Sequence, residues 1–182
     1  ITVSIDDANS DDDFDAVADQ TVSVSTTDDD VAGFTVAETD GSTGVDESGT
    51  TDIITVVLNA QPVSDVVMAI SSSDASETAV NGSTANNNSL TFTSENWDTP
   101  QSFTVTGVDD DLVDGTVNSI LTISVVDALS DNGFDAVADQ TVTASTTDDD
   151  VAGFTIVELD GSTEVDESGD TDTFTVVLDA QP

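Results

Sequence analysis

Residues 51–73 read TDIITVVLNAQPVSDVVMAISSS, two short runs of alternating apolar and polar residues joined by a brief connection. Val, Ile and Thr dominate both runs, and β-branched residues favour strands. Five more runs share this character, at 33–38, 89–94, 101–108, 116–127 and 140–147. No segment keeps apolar residues at the spacing of a helix. The pattern predicts an all-β chain with seven short strands, which is typical of an immunoglobulin-like Greek-key β-sandwich.

The sequence also repeats itself. Residues 1–62 align without a gap on residues 121–182, and 45 of the 62 positions are identical. The offset of 120 residues predicts modules in tandem. We place a complete module at 31–150, the C-terminal strands of a preceding module at 1–30 and the N-terminal strands of a following module at 151–182.

Composition excludes several classes of function. The chain has 39 acidic residues and no Lys, Arg, His, Cys or Tyr. Without an imidazole, amine, thiol or phenol, most catalytic mechanisms lack a base or nucleophile, so we expect no enzyme. Binding to nucleic acid needs cationic side chains, and an anionic membrane surface would repel the chain. We therefore predict no nucleic-acid partner and no membrane insertion.

Acidic residues gather at one predicted end of the sandwich. In an immunoglobulin-type strand order, the first, third and fifth connections and the C-terminus lie at the same pole. Four sequence segments bring carboxylates there: Glu47; Asp74; Asp109, Asp110, Asp111 and Asp114; and Asp148, Asp149 and Asp150. By the repeat offset, Asp28, Asp29, Asp30 and Glu167 take equivalent places in the flanking modules. With no cationic side chain nearby, this pole predicts a metal site.

Calcium suits these residues best among the common metals. Ca²⁺ takes about 6–8 oxygen ligands in irregular geometry, whereas Mg²⁺ prefers a strict octahedron with several waters. Zinc and copper sites usually need His or Cys, which the chain lacks. The alternative is that the Asp runs are solvated turns, as most charge runs are. The segment DDDLVDG (109–115) lacks the Gly and Glu positions of an EF-hand loop, and the RTX nonapeptide does not occur.

Two other features leave alternatives open. Asp131, Asp135 and Asp139 lie in the connection at the opposite pole and would face the Asp run of the preceding module, where they could add to a junction site. Trp97, in NWDTP, is either a plug at the end of the sandwich or a platform for a sugar. We favour the plug.

Three motifs together resemble the Calx-beta family and its relatives in bacterial surface adhesins. They are VDESG (45–49), VDDDLVDG (108–115) and DDDVAGF (148–154, and again 28–34). The resemblance implies an immunoglobulin-like sandwich that binds several calcium ions per module through the carboxylates named above. Two departures are Gly115, Thr116 and Val117 where the family often has Glu, and SSSDASE (71–77) in the third connection.

These observations lead to an expected function. We expect a calcium-rigidified structural spacer of a large extracellular adhesin or fibre at the bacterial cell surface. Its partners would be identical modules end to end, and lateral self-assembly into a filament is a second arrangement that the repeat allows. The alternatives are a calcium-sensing regulatory Calx-beta module, which would need only one or two copies, and a module that binds a glycan directly.

Overall fold

The computed structural model describes residues 1–82 and 88–181. The chain divides into two compact units, Ile1–Asp30 and Val31–Pro182. Both are built from strands and turns, with short 3₁₀ turns at Asp12–Phe14, Thr39–Gly41 and Asp127–Leu129. Among the described residues, no helix is long and apolar enough to cross a lipid bilayer. The prediction of an all-β chain is confirmed.

The first unit, which we call the tail segment (residues 1–30), contains one antiparallel strand pair. Strand β1 (Thr2–Val3) pairs with β2 (Gln20–Thr21), with Thr2 opposite Thr21. Almost every side chain of this segment is exposed to solvent.

The second unit holds the remaining strands. In chain order these are β3 (Phe34–Glu38), β4 (Thr43–Asp46), β5 (Thr51–Leu58), β6 (Val66–Ser72), β7 (Thr78–Gly82), β8 (Ser89–Phe92), β9 (Gln101–Gly107), β10 (Val117–Val125), β11 (Gln140–Thr147), β12 (Phe154–Glu158) and β13 (Phe174–Leu178). Strands β3 to β11 form what we call the central sandwich. Strands β12 and β13 form a hairpin in the head segment (residues 151–182).

The central sandwich consists of two sheets with the strand orders β3-β5-β9-β7 and β4-β11-β10-β6-β8. Neighbouring strands are antiparallel except β4 and β11, which run parallel. All seven predicted strands are present, and β4 and β7 are additions. The chain therefore changes sheet at each connection from β3 to β10 and stays in the five-stranded sheet from β10 to β11, and the two packed sheets form an immunoglobulin-like sandwich.

The inner faces of the two sheets form one apolar core. Phe92, Phe103, Ile54 and Leu121 are completely buried, and Trp97 packs against this core from the edge. Full burial of each large apolar side chain contributes about 1.5–3 kcal/mol to folding. The interpretation of Trp97 as a plug, and not as an exposed platform, agrees with this packing.

Three buried hydroxyls connect the sheets at one end of the core. Thr78 Oγ1 lies 2.9 Å from Thr146 Oγ1 and 3.2 Å from Ser119 Oγ. Thr78 belongs to the four-stranded sheet, and the other two residues belong to β10 and β11 of the five-stranded sheet. Since buried hydroxyls need partners, this group fixes the sheets together at the end where the acidic connections lie.

Candidate metal centre

The acidic connections meet at one end of the central sandwich, which we call the acidic pole (residues 47, 73–77, 108–116 and 148–150). The parallel pairing of β4 with β11 places Asp46 opposite Thr147, so both strands end at the same edge. The Glu47 amide then donates to the Thr147 carbonyl over 3.1 Å. Glu47 and the Asp148–Asp150 run consequently start from adjacent points of the backbone.

Three carboxylates of this pole come close together. Glu47, Asp148 and Asp150 each place an oxygen within 4.8 Å of the other two, and among the described residues no other acidic group is this tight. Two ligands on opposite sides of a calcium ion lie about 4.6–5.2 Å apart, given Ca–O distances of about 2.3–2.6 Å. The spacing therefore fits one hard divalent cation bound by all three side chains.

Buried oxygens at this pole lack partners. Glu47 is only 1% exposed and Glu77 only 5% exposed. Within residues 1–82 and 88–181, Glu47 Oε2, Glu77 Oε2 and Asp150 Oδ2 accept no hydrogen bond. A buried polar atom without a partner costs about 1–3 kcal/mol, and more when it is charged. The protein supplies no cationic side chain that could offset this cost.

The local electrostatics disfavour ionised carboxylates here. Burial raises the pKa of Glu47, and the charges of Asp148, Asp110 and Glu77 raise it further, while the Asp149 amide lowers it. Burial also raises the pKa of Asp150, with added repulsion from Asp111, Asp148, Asp149 and Asp109.

The same holds for Glu77. Burial raises its pKa, followed by repulsion from Asp114, Asp110, Asp74 and Asp148. A bound cation would reverse each of these effects, because an opposite charge at close range favours the ionised form.

Backbone amides shape the loops that carry these carboxylates. Asp148 accepts hydrogen bonds from the amides of Gly115 at 2.8 Å and Asp150 at 2.7 Å, and these hold its pKa below the usual range. Asp110 accepts from the Leu112 amide at 2.7 Å. Asp148 thereby ties the end of β11 to the 109–115 loop, so two of the four acidic segments are held together without a metal.

The predicted ligands are distributed unevenly around this centre. Glu47, Asp148 and Asp150 form the close group. Asp74, Asp110 and Asp114 lie near enough to repel Glu77, and Asp109, Asp111 and Asp149 repel Asp150. Asp74 forms a turn with Ser76, whose hydroxyl donates to it over 2.5 Å and lowers its pKa.

The flanking predicted ligands form no such group among the described residues. Asp28 accepts from the Asp30 amide at 3.1 Å, which is a local turn that also positions Asp29. Glu167 lies in the exposed head segment. Their proposed role as metal ligands remains a prediction.

Glu77 is the residue that the sequence analysis missed. It directly precedes β7, which was not predicted, and only Asp74 was named as a ligand from its connection SSSDASE. Its backbone carbonyl accepts from Thr146 Oγ1 at 3.3 Å, which draws it against the core. The available signal was its place in the same connection as Asp74, directly before the alternating residues 78–80.

Asp131, at the opposite pole, has a local role. Its carboxylate accepts from the amides of Val63 at 2.6 Å, Ser64 at 2.8 Å and Gly133 at 2.8 Å. These amides hold its pKa below the usual range. Its oxygens thus stabilise two connections of its own sandwich, while Asp135 and Asp139 remain exposed.

Comparisons with known proteins give distant structural likenesses only. No family model and no curated protein sequence matches the chain. The apo form of the Calx CBD1 domain is 15% identical, with a TM-score of 0.41, and the match covers 64% of this chain and 98% of that one. The calcium-binding domain CBD12 of CALX1.1 is 13% identical, with a TM-score of 0.43 and coverage of 79% and 69%. A PapD-like domain of human CEP192 is 10% identical, with a TM-score of 0.42 and coverage of 75% and 97%. All three are too distant to assign a function.

Proposed function

We propose that the acidic pole binds calcium and that the chain is a calcium-rigidified spacer of a large extracellular adhesin or fibre at the bacterial cell surface. The observation that carries the metal is the buried Glu47 carboxylate, which has an unpartnered oxygen beside Asp148 and Asp150. Glu47, Asp148 and Asp150 would hold one ion, and Glu77 would complete its shell or hold a neighbouring ion with Asp110 and Asp114.

The choice of calcium follows from the donor set. Every side chain at the pole offers oxygen, and several are carboxylates on flexible connections. Calcium tolerates such irregular shells, whereas magnesium prefers a near-ideal octahedron with retained water.

The spacer role has two supports. The repeat of 120 residues favours a function that scales with the number of copies, such as the length of a spacer. The metal-bearing 109–115 connection also contacts the head segment: the Gln181 amide donates to the Asp111 carbonyl over 2.5 Å, and the Val113 amide donates to the Gln181 carbonyl over 3.1 Å. An ion that fixes this connection would stiffen the link to the segment that follows. With no base or nucleophile beyond carboxylates and hydroxyls, we propose no catalysis.

The test compares the wild-type chain with Glu47→Gln in calcium and in EDTA. Trp97 is the only Trp and lies in the central sandwich, so its fluorescence reports unfolding there. Calcium at 100 times its Kd should add about 2.7 kcal/mol to the wild-type stability. Glu47→Gln should lower stability in calcium, since a ligand is lost, but raise it in EDTA, since a repelled buried charge is removed.

Two results would contradict the proposal. Equal melting temperatures of the wild-type chain in calcium and EDTA would exclude the metal site. Equal small-angle scattering profiles in the two conditions would exclude the stiffening. Calorimetry separates the spacer from the calcium-sensing alternative: a Kd of about 10⁻⁴–10⁻³ M fits an extracellular spacer, whereas a micromolar Kd would favour the sensing module.

A further inference from the structure

Glu77 is buried at the acidic pole although one of its carboxylate oxygens has no partner. Its side chain is only 5% exposed, and within residues 1–82 and 88–181 Glu77 Oε2 accepts no hydrogen bond. Keeping such an oxygen away from water opposes folding. Other contacts of the same residue must therefore hold the carboxylate in place.

The backbone carbonyl of Glu77 provides these contacts. It accepts a hydrogen bond from the Val108 amide at 2.9 Å and another from Thr146 Oγ1 at 3.3 Å. Val108 directly precedes the 109–115 connection, and Thr146 lies two residues before Asp148. A carbonyl oxygen has two lone pairs, so these two donors satisfy it. One atom thus joins the connection before β7 to the two acidic segments that follow it in the chain.

The two donors depend on the sequence to different degrees. The Val108 amide extends the pairing of β7 with β9, in which Thr78 lies opposite Gly107. Any residue except Pro could supply that amide. Thr146 donates through its side chain, from β11 of the opposite sheet. Its hydroxyl is therefore the contact to this carbonyl that a substitution can remove.

The Thr146 hydroxyl is itself held in one orientation. Thr146 is fully buried, and its Oγ1 lies 2.9 Å from Thr78 Oγ1, which lies 3.2 Å from Ser119 Oγ. A hydroxyl has one hydrogen, so when Thr146 donates to the Glu77 carbonyl, Thr78 is the donor to Thr146. The branched side chain of Thr also restricts rotation about χ1.

The other end of the connection before β7 is attached to β10. The Ser73 amide donates to the Ile120 carbonyl over 2.9 Å, and Ser73 Oγ accepts from the Ile120 amide at 2.9 Å. The connection is consequently fixed to β10 where it starts and to β9 and β11 where it ends, at Glu77.

We propose that Thr146 is a positioning residue for calcium, which touches no ion but determines where the Glu77 carboxylate lies before calcium binds. This inference rests on the proposed function, in which Glu77 is a ligand. It adds that the affinity of the acidic pole depends on a buried hydroxyl as well as on carboxylates.

Repulsion explains why such a residue is needed. Without a metal, the charge of Glu77 is repelled by four neighbouring carboxylates, those of Asp114, Asp110, Asp74 and Asp148. This repulsion favours movement of Glu77 out into water, and the bond from Thr146 opposes that movement. A ligand that is already in place loses less conformational freedom when the ion binds, so binding is tighter.

The experiment measures the calcium Kd by calorimetry on full-length chains. Thr146→Val keeps the shape of the side chain and removes its hydroxyl, so the Kd should rise by about threefold to tenfold, the range expected for one hydrogen bond. Thr146→Ser keeps the hydroxyl and should recover most of the affinity. If Thr146→Val does not unfold cooperatively by Trp97 fluorescence, Thr146→Ala removes the same hydroxyl and should show the same rise in Kd.

Two controls separate positioning from stability. Ser119→Ala removes a buried hydroxyl of the same group that does not contact Glu77, so it should lower the melting temperature in EDTA and leave the Kd unchanged. Thr143→Val makes the same substitution at an exposed position of β11 and should change neither quantity.

A double variant tests whether Thr146 acts through Glu77. In a Glu77→Gln background, Thr146→Val should raise the Kd little further, because the carboxylate that Thr146 positions is already lost. Fully additive losses would show that Thr146 acts elsewhere, and they would overturn the inference.

Other results would also overturn it. A Thr146→Val chain with a lower melting temperature in EDTA but the wild-type Kd would show a purely structural hydroxyl and leave the proposed function standing. An equal rise in Kd for Ser119→Ala would show that affinity follows overall stability. A Thr146→Ser chain as weak as Thr146→Val would assign the effect to the methyl group. If the wild-type chain binds no calcium, the proposed function fails and this inference with it.

Discussion

Gly107→Ala should push strand β9 away from the end of β4. A Cβ at position 107 would lie 1.9 Å from the Asp46 carbonyl oxygen and 2.6 Å from its carbonyl carbon. Ordinary contacts of a Cβ begin at 3.4 Å, so one backbone would have to move by about 1.5 Å. Because both groups are main-chain atoms, no side-chain rotation can relieve the overlap.

Stability and calcium binding should both respond to this shift. Overpacking of this kind costs about 1–3 kcal/mol or more, and each kcal/mol lowers the melting temperature of a domain this size by about 4 °C. Glu47 directly follows Asp46, and metal–ligand distances stay within about 0.2 Å of their usual values. A shift of about 1.5 Å should therefore abolish most of the stabilisation by calcium.

The assay is thermal unfolding followed by Trp97 fluorescence, in calcium and in EDTA. Gly44→Ala is the matched control, since it lies in β4, is exposed, and an added Cβ would meet nothing within 4 Å. That variant should behave like the wild type. The close approach would be refuted by a Gly107→Ala chain with wild-type melting in EDTA and an unchanged response to calcium.

Two further predictions concern Glu77 and Asp131. Glu77→Gln should raise the melting temperature in EDTA. It should also weaken calcium binding by about tenfold or more, because a lost contact to a charged group is worth about 1.5–3 kcal/mol. The exposed Glu95→Gln is the control, and calorimetry that shows unchanged affinity in Glu77→Gln would exclude Glu77 as a ligand. Asp131→Asn should lower stability equally in calcium and EDTA, since Asn keeps only one of the two acceptor oxygens that the Val63, Ser64 and Gly133 amides share. Because these amides depress the pKa of Asp131 from its ordinary value of 3.8, its contribution is present above that pH and is lost as the pH falls through the lower folded value. Urea titrations between pH 5 and 2, in EDTA, should show a smaller acid-induced loss in Asp131→Asn, and equal losses in both chains would contradict this.

Most of the fold could be predicted because the alternation of apolar and polar residues along a strand reflects burial of one face directly. Each of the seven predicted strands has one face in the core, so its apolar residues appear at every second position. Strands β4 and β7 bury only two alternating side chains each, Thr43 and Val45 in β4 and Thr78 and Val80 in β7, which is too short a pattern to predict a strand. The first contains Gly44 and only four residues, and it forms because β11 offers a parallel partner, which is a tertiary effect.

The site was predictable as a pole but not as a set of distances. The order of the strands is enough to place Glu47 and Asp148 at the same end of the sandwich, since the first connection and the C-terminus lie at one pole. That Glu47 is buried while Asp149 is exposed depends on the path of the backbone after β4 and β11. Glu77 was missed for the same reason as β7, since its burial depends on contact with Thr146 across the core.

The parallel pairing of β4 with β11 has a mechanical consequence. Tension along the chain would pull β4 toward residue 31 and β11 toward residue 150, in opposite directions along two strands that point the same way. The four residue pairs between them would then be loaded together in shear, and could not be peeled apart one at a time. Glu47 and Asp148 lie just beyond the last pair. An ion bound by both would therefore cross-link the ends of β4 and β11 where the chain leaves the sandwich.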